Sequence, residues 1–347
     1  MGKPDIHSLH VIRVIATLGI ICYHFSCALT NTAFTPFLNF ANGDWGSAFV
    51  TVFFMLSGAL LYYQYADGQR GLGEYYYKRW RSIFPLYYIV YLLFEVQNII
   101  YHRSVFFRGE PWRYIFTLLG MDGYLSRNTT TYYIMGEWFT GAIVMLYLLF
   151  PLLLWFFRKN SYITMGATAV LYVLFLDKPI GTPVSYWSIT SCLMSFMLGM
   201  MLMKHWKIFV NIWGALIGAI GVAVVGFADL PLSDDLWDHA MGLFLFVFLA
   251  FIGEFIMKPR VFSRIFTQIS GISYACFLLH HRVIADILSA WNPAEPWRVI
   301  LLLVATTAWI FCLSKAFTLV NSAVVKSLDQ YLSPLFCRKK KPNEIRE

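Results

Sequence analysis

Long apolar runs recur along the chain, and their number constrains the fold more than any other feature. About ten of them are long enough to cross a bilayer as helices, which takes about 20 residues. They lie at 9–29, 46–64, 84–101, 134–157, 161–176, 184–203, 208–228, 237–257, 268–290 and 298–325. Hydrophobic residues make up 59% of the chain and charged residues only 13%, which leaves little sequence for a soluble domain. The pattern predicts an all-α, polytopic transmembrane bundle of about ten helices.

The charges between the runs predict how the bundle is oriented. Lysine and arginine concentrate in alternate loops, as the positive-inside rule requires when both termini are cytoplasmic. The loop at 102–133 departs from this alternation because it carries four arginines, and its centre, 112–121, predicts a short interfacial helix. We expect a transmembrane domain at 1–330 and a basic, disordered cytoplasmic tail at 331–347. The net charge of +8 fits this orientation signal and does not point to nucleic acid.

The first run contains Arg13 and His24, whose ionisable side chains are costly in lipid and therefore indicate a functional site. At about 100° per residue the two side chains lie about 20° apart around the helix and about 16 Å apart along it. A long ligand on this face reaches both. A thioester on a pantetheine arm is such a ligand, and histidine is the most common general base. The alternatives are an arginine that snorkels to the headgroups and a histidine that bonds a neighbouring helix.

The second run and the segment after it carry further candidates. Ser57 and Gly58 allow close approach within the bundle, and simple helix packing is their alternative role. Lys78, Arg79 and Arg81 lead into the third run on the predicted cytoplasmic side, where they could bind the phosphates of a nucleotide-bearing donor. The same basic residues also fit an orientation signal or contact with anionic lipid.

Candidates for the acceptor side lie at the start of the fourth run and within the ninth. Glu137, followed by Trp138, could orient the imidazole of the first run or bind a sugar hydroxyl; solvation in the interface is the alternative. Tyr274, His280 and His281 are expected to line the bundle cavity. Adjacent helical residues point about 100° apart, so we expect these histidines to form hydrogen bonds and no metal site. The six cysteines have neither a CxxC pair nor a zinc spacing.

Together these segments resemble the acyltransferase 3 family of integral membrane acyltransferases. The matching elements are Arg13-x10-His24, Phe53-Phe54-Met55-Leu56-Ser57-Gly58, Lys78-Arg79-x-Arg81-x-x-x-Pro85-x-Tyr87, and Ile272-Ser273-Tyr274 with Leu279-His280. The resemblance implies about ten helices, a cytoplasmic acyl-CoA donor and transfer to a carbohydrate hydroxyl at the outer face. It also implies that Arg13 and His24 are tied to activity. Where many members have Trp-Ser/Thr-x-x-x-Glu, this chain has Glu137-Trp138-Phe139.

The residues and the resemblance predict a multi-pass O-acyltransferase of the plasma membrane, most simply an O-acetyltransferase. Acetyl-CoA or another acyl-CoA is the expected donor substrate, and no metal cofactor is expected. The expected roles are catalysis for His24, Arg13 and Glu137, donor binding for Arg13, Lys78, Arg79 and Arg81, and acceptor binding for Glu137, Trp138, Tyr274, His280 and His281. The expected partners are a surface or lipid-linked glycan and membrane lipids, with self-association or a partner enzyme left open. The alternatives are a glycan or lipid exporter without covalent chemistry and a noncatalytic sensing or scaffolding module.

Overall fold

The described part of the chain consists of helices and their connections, without a strand. The computed structural model describes residues 6–30, 34, 45–68, 71–135, 138–176, 178–228 and 230–336. The ten longest helices there are α1 (Ser8–Cys27), α2 (Trp45–Tyr65), α3 (Leu72–His102), α4 (Trp138–Lys159), α5 (Ser161–Leu174), α6 (Ile189–Lys204), α7 (Ile212–Phe227), α8 (Asp234–Ile256), α9 (Arg260–Ala290) and α10 (Pro296–Phe336). The all-α prediction is therefore confirmed.

Each apolar run of the sequence falls on one of these ten helices. Six described helices, α1 to α4, α8 and α10, are long and apolar enough to cross a membrane. Helices α5, α6 and α7 are shorter, with 14, 16 and 16 residues. The chain is thus a membrane protein with several apolar helices, while the count of about ten spans and the cytoplasmic termini stay predictions.

Several helix boundaries differ from the sequence expectation, among them the start of α3 and the end of α10. Helix α3 begins at Leu72, so the basic residues of this region lie within the helix, as does Pro85. The apolar run alone could not show this, because the first turns of α3 are polar and basic. Helix α10 continues to Phe336, so residues 331–336 of the predicted disordered tail are helical. The remainder of that tail, 337–347, lies outside the described residues.

Helix α1 lies at the centre of the bundle, packed against α2, α8 and α9. Helix α2 also packs closely along α6, and α10 packs against α3 and α9. Gly58 and Gly199 make the α2–α6 contact: a Cβ atom on Gly58 would overlap the carbonyl oxygen of Phe196, and one on Gly199 would overlap that of Met55. Small residues at such a crossing let two backbones approach without a side chain between them.

The segment between α3 and α4 forms short helical turns at Pro111–Arg113, Tyr114–Leu118 and Asp122–Leu125, and this confirms the predicted short helix. Two of its arginines bond the segment itself. Arg108 donates to the carbonyl oxygen of Tyr133, and Arg113 donates to Thr129 Oγ1 at 2.8 Å. These bonds give the arginines a structural role that is independent of the membrane orientation signal.

Candidate functional site

A cavity of about 410 Å³ opens between α1, α2, α3, α4 and α9. Most of its wall is apolar, but polar side chains enter it from all five helices. They are His10 and Arg13 of α1, Ser57 and Gln64 of α2, Arg79 and Ser82 of α3, Tyr147 of α4, and Ser273 and Tyr274 of α9. A mostly apolar cavity with a few convergent polar groups is the usual form of a small-molecule site.

Arg13 and Arg79 bring two positive charges to this one cavity. Within the described ranges, no carboxylate lies within 4.0 Å of the Arg13 guanidinium. Arg79 lies above the ring of Tyr147, with its Cζ atom 5.6 Å from the centroid. Its buried Nε atom has no hydrogen-bond partner in the described part of the chain. Partly buried cations of this kind are stabilised by an anionic ligand.

Arg79 also lines a second, open pocket of about 460 Å³ between α3 and α10. This pocket is here called the basic entrance; it is lined by Lys78, Arg79, Arg81, Ser82, Asn321, Ser322 and Val325. Because Arg79 and Ser82 line both spaces, the basic entrance adjoins the cavity. Its other two cations already have acidic neighbours: Lys78 pairs with Glu74 at 2.5 Å and Arg81 pairs with Asp329 at 3.2 Å. Arg79 is therefore the strongest phosphate-binding candidate of the three.

Three histidines meet near the other end of α1. The ring centroid of His24 lies 4.0 Å from that of His281 and 5.1 Å from that of His280. The rings of His280 and His281 are themselves 4.3 Å apart, although their Cβ directions on the helix differ by about 100°. Both rings also lie beside the ring of His24. We call His24, His280 and His281 the histidine cluster.

The cavity extends towards the histidine cluster through a small apolar pocket. This pocket, of about 10 Å³, shares Ile20, Phe53, Ser273 and Phe277 with the cavity and also touches His280. The basic entrance, between α3 and α10, therefore adjoins the cavity, and the cavity extends along α1 towards the histidine cluster. That one face of α1 serves a single ligand stays a prediction.

The remaining candidates have different surroundings. Tyr274 lines the cavity, as expected. Ser57 also lines it, whereas the neighbouring Gly58 faces α6. Trp138 stacks on Trp187, with ring centroids 5.0 Å apart, and does not line the cavity. Glu137, the expected catalytic and acceptor-binding carboxylate, lies outside the described residues.

His10 and Tyr147 are cavity residues that the sequence interpretation missed. His10 Nδ1 lies 2.9 Å from Ser270 Oγ, which links the start of α1 to α9. The spacing of His10 to Arg13 puts both on one helix face, and this signal was available in the sequence. Tyr147 sits in an almost uniformly apolar run, where nothing distinguishes it from an interfacial tyrosine.

A serine–histidine pair elsewhere in the bundle does not form a nucleophile. Ser195 Oγ lies 3.0 Å from His239 Nε2, and His239 Nδ1 lies 2.6 Å from the carbonyl oxygen of Asp235. All three residues are buried, and none of them lines the cavity. The bonds therefore connect α6 to α8 within the bundle.

The comparison with known protein families gives one match. The family model described as an acyltransferase domain, of the acyltransferase 3 type, matches residues 6–315. No curated protein and no solved structure matches the chain. The matched residues include α1 to α9, the cavity and the histidine cluster.

Proposed function

Since the chain belongs to the acyltransferase domain family, it is a membrane acyltransferase, and we propose that it O-acylates a carbohydrate. The donor is acyl-CoA on the cytoplasmic side, most simply acetyl-CoA, and the acceptor is a hydroxyl group of a surface or lipid-linked glycan. The plasma membrane is the membrane that fits such an acceptor. Membership of an enzyme family disfavours an exporter or a noncatalytic module.

The observation that carries the proposal is that the basic entrance adjoins the cavity, which in turn extends along α1 towards the histidine cluster. The basic entrance suits the phosphates of a nucleotide, and the mostly apolar cavity suits a pantetheine arm and its acyl group. The histidine cluster then lies where a thioester at the end of that arm meets an acceptor.

We assign the proton transfer to His24. The acceptor hydroxyl oxygen attacks the thioester carbonyl carbon while its proton passes to the imidazole. The carbon–sulfur bond then breaks, and CoA leaves as a thiolate that takes up a proton. A positioned general base contributes about 10²–10⁴-fold to such a rate.

Arg13 belongs to donor binding in this scheme. It lies about 16 Å from His24 along the helix, too far for its guanidinium to touch the reacting carbonyl. The cavity that Arg13 lines together with Arg79 and Tyr147 has space for an anionic or strongly polar part of the donor.

Acyl transfer by purified protein tests the proposal. The protein is reconstituted in vesicles with labelled acetyl-CoA and a membrane glycan fraction, and covalent label on the glycan is followed by mass spectrometry. We expect His24→Ala to reduce transfer about 10²–10⁴-fold and Arg13→Lys to raise the donor KM, since lysine lacks the planar fork. His102→Ala is the matched control, because His102 is exposed at the end of α3 and stacks on Phe107. Full activity of His24→Ala, or transfer that no variant alters, would contradict the assigned roles.

A further inference from the structure

We propose that the histidine cluster is a binding site for a divalent transition-metal ion such as Zn²⁺. Three imidazoles from two helices meet there, and one nitrogen from each lies within 4.8 Å of the others. Imidazole nitrogens are favoured ligands of zinc and of neighbouring transition metals. A tetrahedral zinc ion with Zn–N bonds of about 2.0–2.1 Å holds its nitrogens roughly 3.4 Å apart, so the rings need to approach by little more than an ångström.

The hydrogen bonds of His280 support metal binding independently of the distances. Its Nδ1 atom lies 2.7 Å from the carbonyl oxygen of Phe277 and 3.2 Å from that of Cys276, and only a protonated Nδ1 can serve these two acceptors. In the neutral ring, Nε2 then carries a lone pair. A metal-ligating histidine is usually held in this way, with its other nitrogen donating to a backbone carbonyl.

The Nε2 atom of His280 is a buried polar atom of the histidine cluster that lacks a partner in the described part of the chain. The residue is 1% exposed, and Nε2 has no hydrogen-bond partner among the residues that the structure describes. An unmade hydrogen bond of a buried polar atom destabilises the fold. Coordination of a metal ion would remove this cost.

The other two rings could in principle supply hydrogen bonds instead of a metal. In the described part of the chain, however, no hydrogen bond joins any two of the three rings, although their centroids are 4.0 to 5.1 Å apart. Three nitrogen ligands leave a fourth position of a tetrahedral ion open for a water molecule or an anion.

Metal binding has a consequence for catalysis that rests on the proposed function. A bound ion takes the lone pair of His24 that a general base needs. The metal-loaded protein therefore cannot use this histidine as a base, and we infer that Zn²⁺ inhibits acyl transfer while its removal restores it.

Binding is tested directly, without reference to activity. Full-length protein in detergent is freed of metal with a chelator and titrated with Co²⁺, whose visible absorption reports tetrahedral nitrogen coordination, and Zn²⁺ is then used to displace it. We expect one ion per chain. His281→Phe keeps a ring of similar size at a half-buried position and should weaken binding at least about tenfold. His102→Phe is the control and should bind as the wild type does.

The outcomes separate the metal site from the proposed function. Absent binding in the wild type, or equal binding in His281→Phe, would overturn the metal site whatever the activity. Binding together with zinc inhibition that a chelator reverses supports both. Binding together with transfer that requires zinc supports the site and overturns the inhibition, and with it the base role of His24. Binding without acyl transfer under any condition supports the site and counts against the proposed function alone.

Discussion

Arg79 lines both the cavity and the basic entrance, and we therefore predict that it contributes more to donor binding than Lys78 and Arg81 do. An Arg79→Gln substitution removes the guanidinium that lines both the basic entrance and the cavity. A hydrogen bond to a charged group is worth about 1.5–3 kcal/mol. At about 1.36 kcal/mol per factor of ten, acyl-CoA affinity should fall about tenfold to a hundredfold.

Arg81→Gln is the matched comparison. Arg81 carries the same charge, but its side chain is 41% exposed and paired with Asp329. An exposed charge contact of this kind contributes about 0–1 kcal/mol. Its removal in Arg81→Gln should therefore lower the affinity for acyl-CoA by less than about fivefold.

Affinity is measured by titration of detergent-purified protein with acyl-CoA at several ionic strengths. The difference between wild type and Arg79→Gln should shrink as salt rises, because partly exposed charges are screened over about 8–10 Å in ordinary buffer. Equal effects of the two substitutions, or no effect of either, would refute the assignment of Arg79 and return the basic entrance to a role in orientation or lipid contact.

Three further predictions concern stability and topology. Gly58→Ala should destabilise the α2–α6 contact by about 1–3 kcal/mol through overlap with Phe196, seen as a lower unfolding temperature in detergent; an unchanged temperature would contradict the contact. Burial raises the pKa of Asp122 to about 6, so the folded protein favours the protonated carboxyl over the ionised one. The free energy of unfolding therefore falls as pH rises from about 4 through 6. Asp122→Asn should therefore gain up to about 3 kcal/mol at pH 7.5 and almost nothing at about pH 3, and a pH-independent difference would disprove this cause. Reporter tags in 66–76 and in 230–236 should lie on opposite sides of the membrane, and the same side for both would overturn the predicted topology.

The sequence was sufficient to predict the ten longest helices, though not all of their ends, and to place Arg13 and His24 on one face of α1. Lipid admits few backbone structures, so apolar runs translate directly into helices. The helical repeat likewise relates Arg13 to His24 without any knowledge of the neighbours. Both predictions depend on one element at a time.

The features that the sequence could not predict depend on contacts between helices or on side-chain rotamers. Arg81 pairs with Asp329, far along the chain on α10, whereas the pair of Lys78 with Glu74 follows from their spacing of four residues. The histidine cluster was missed because the 100° rule describes Cβ atoms, while the ring positions of His280 and His281 are set by their side-chain torsions.

Helix α10 connects the basic entrance to the thickness of the bilayer. Its 41 residues span about 60 Å at about 1.5 Å per residue, about twice the roughly 30 Å hydrocarbon core. A hydrophobic stretch longer than the core adapts by tilting or kinking, and the apolar run of this helix, 298–325, is about 40 Å long. Asn321, Ser322 and Asp329, near its C-terminal end, face the cations of α3. A change in the tilt of α10 would therefore move one wall of the basic entrance relative to α3.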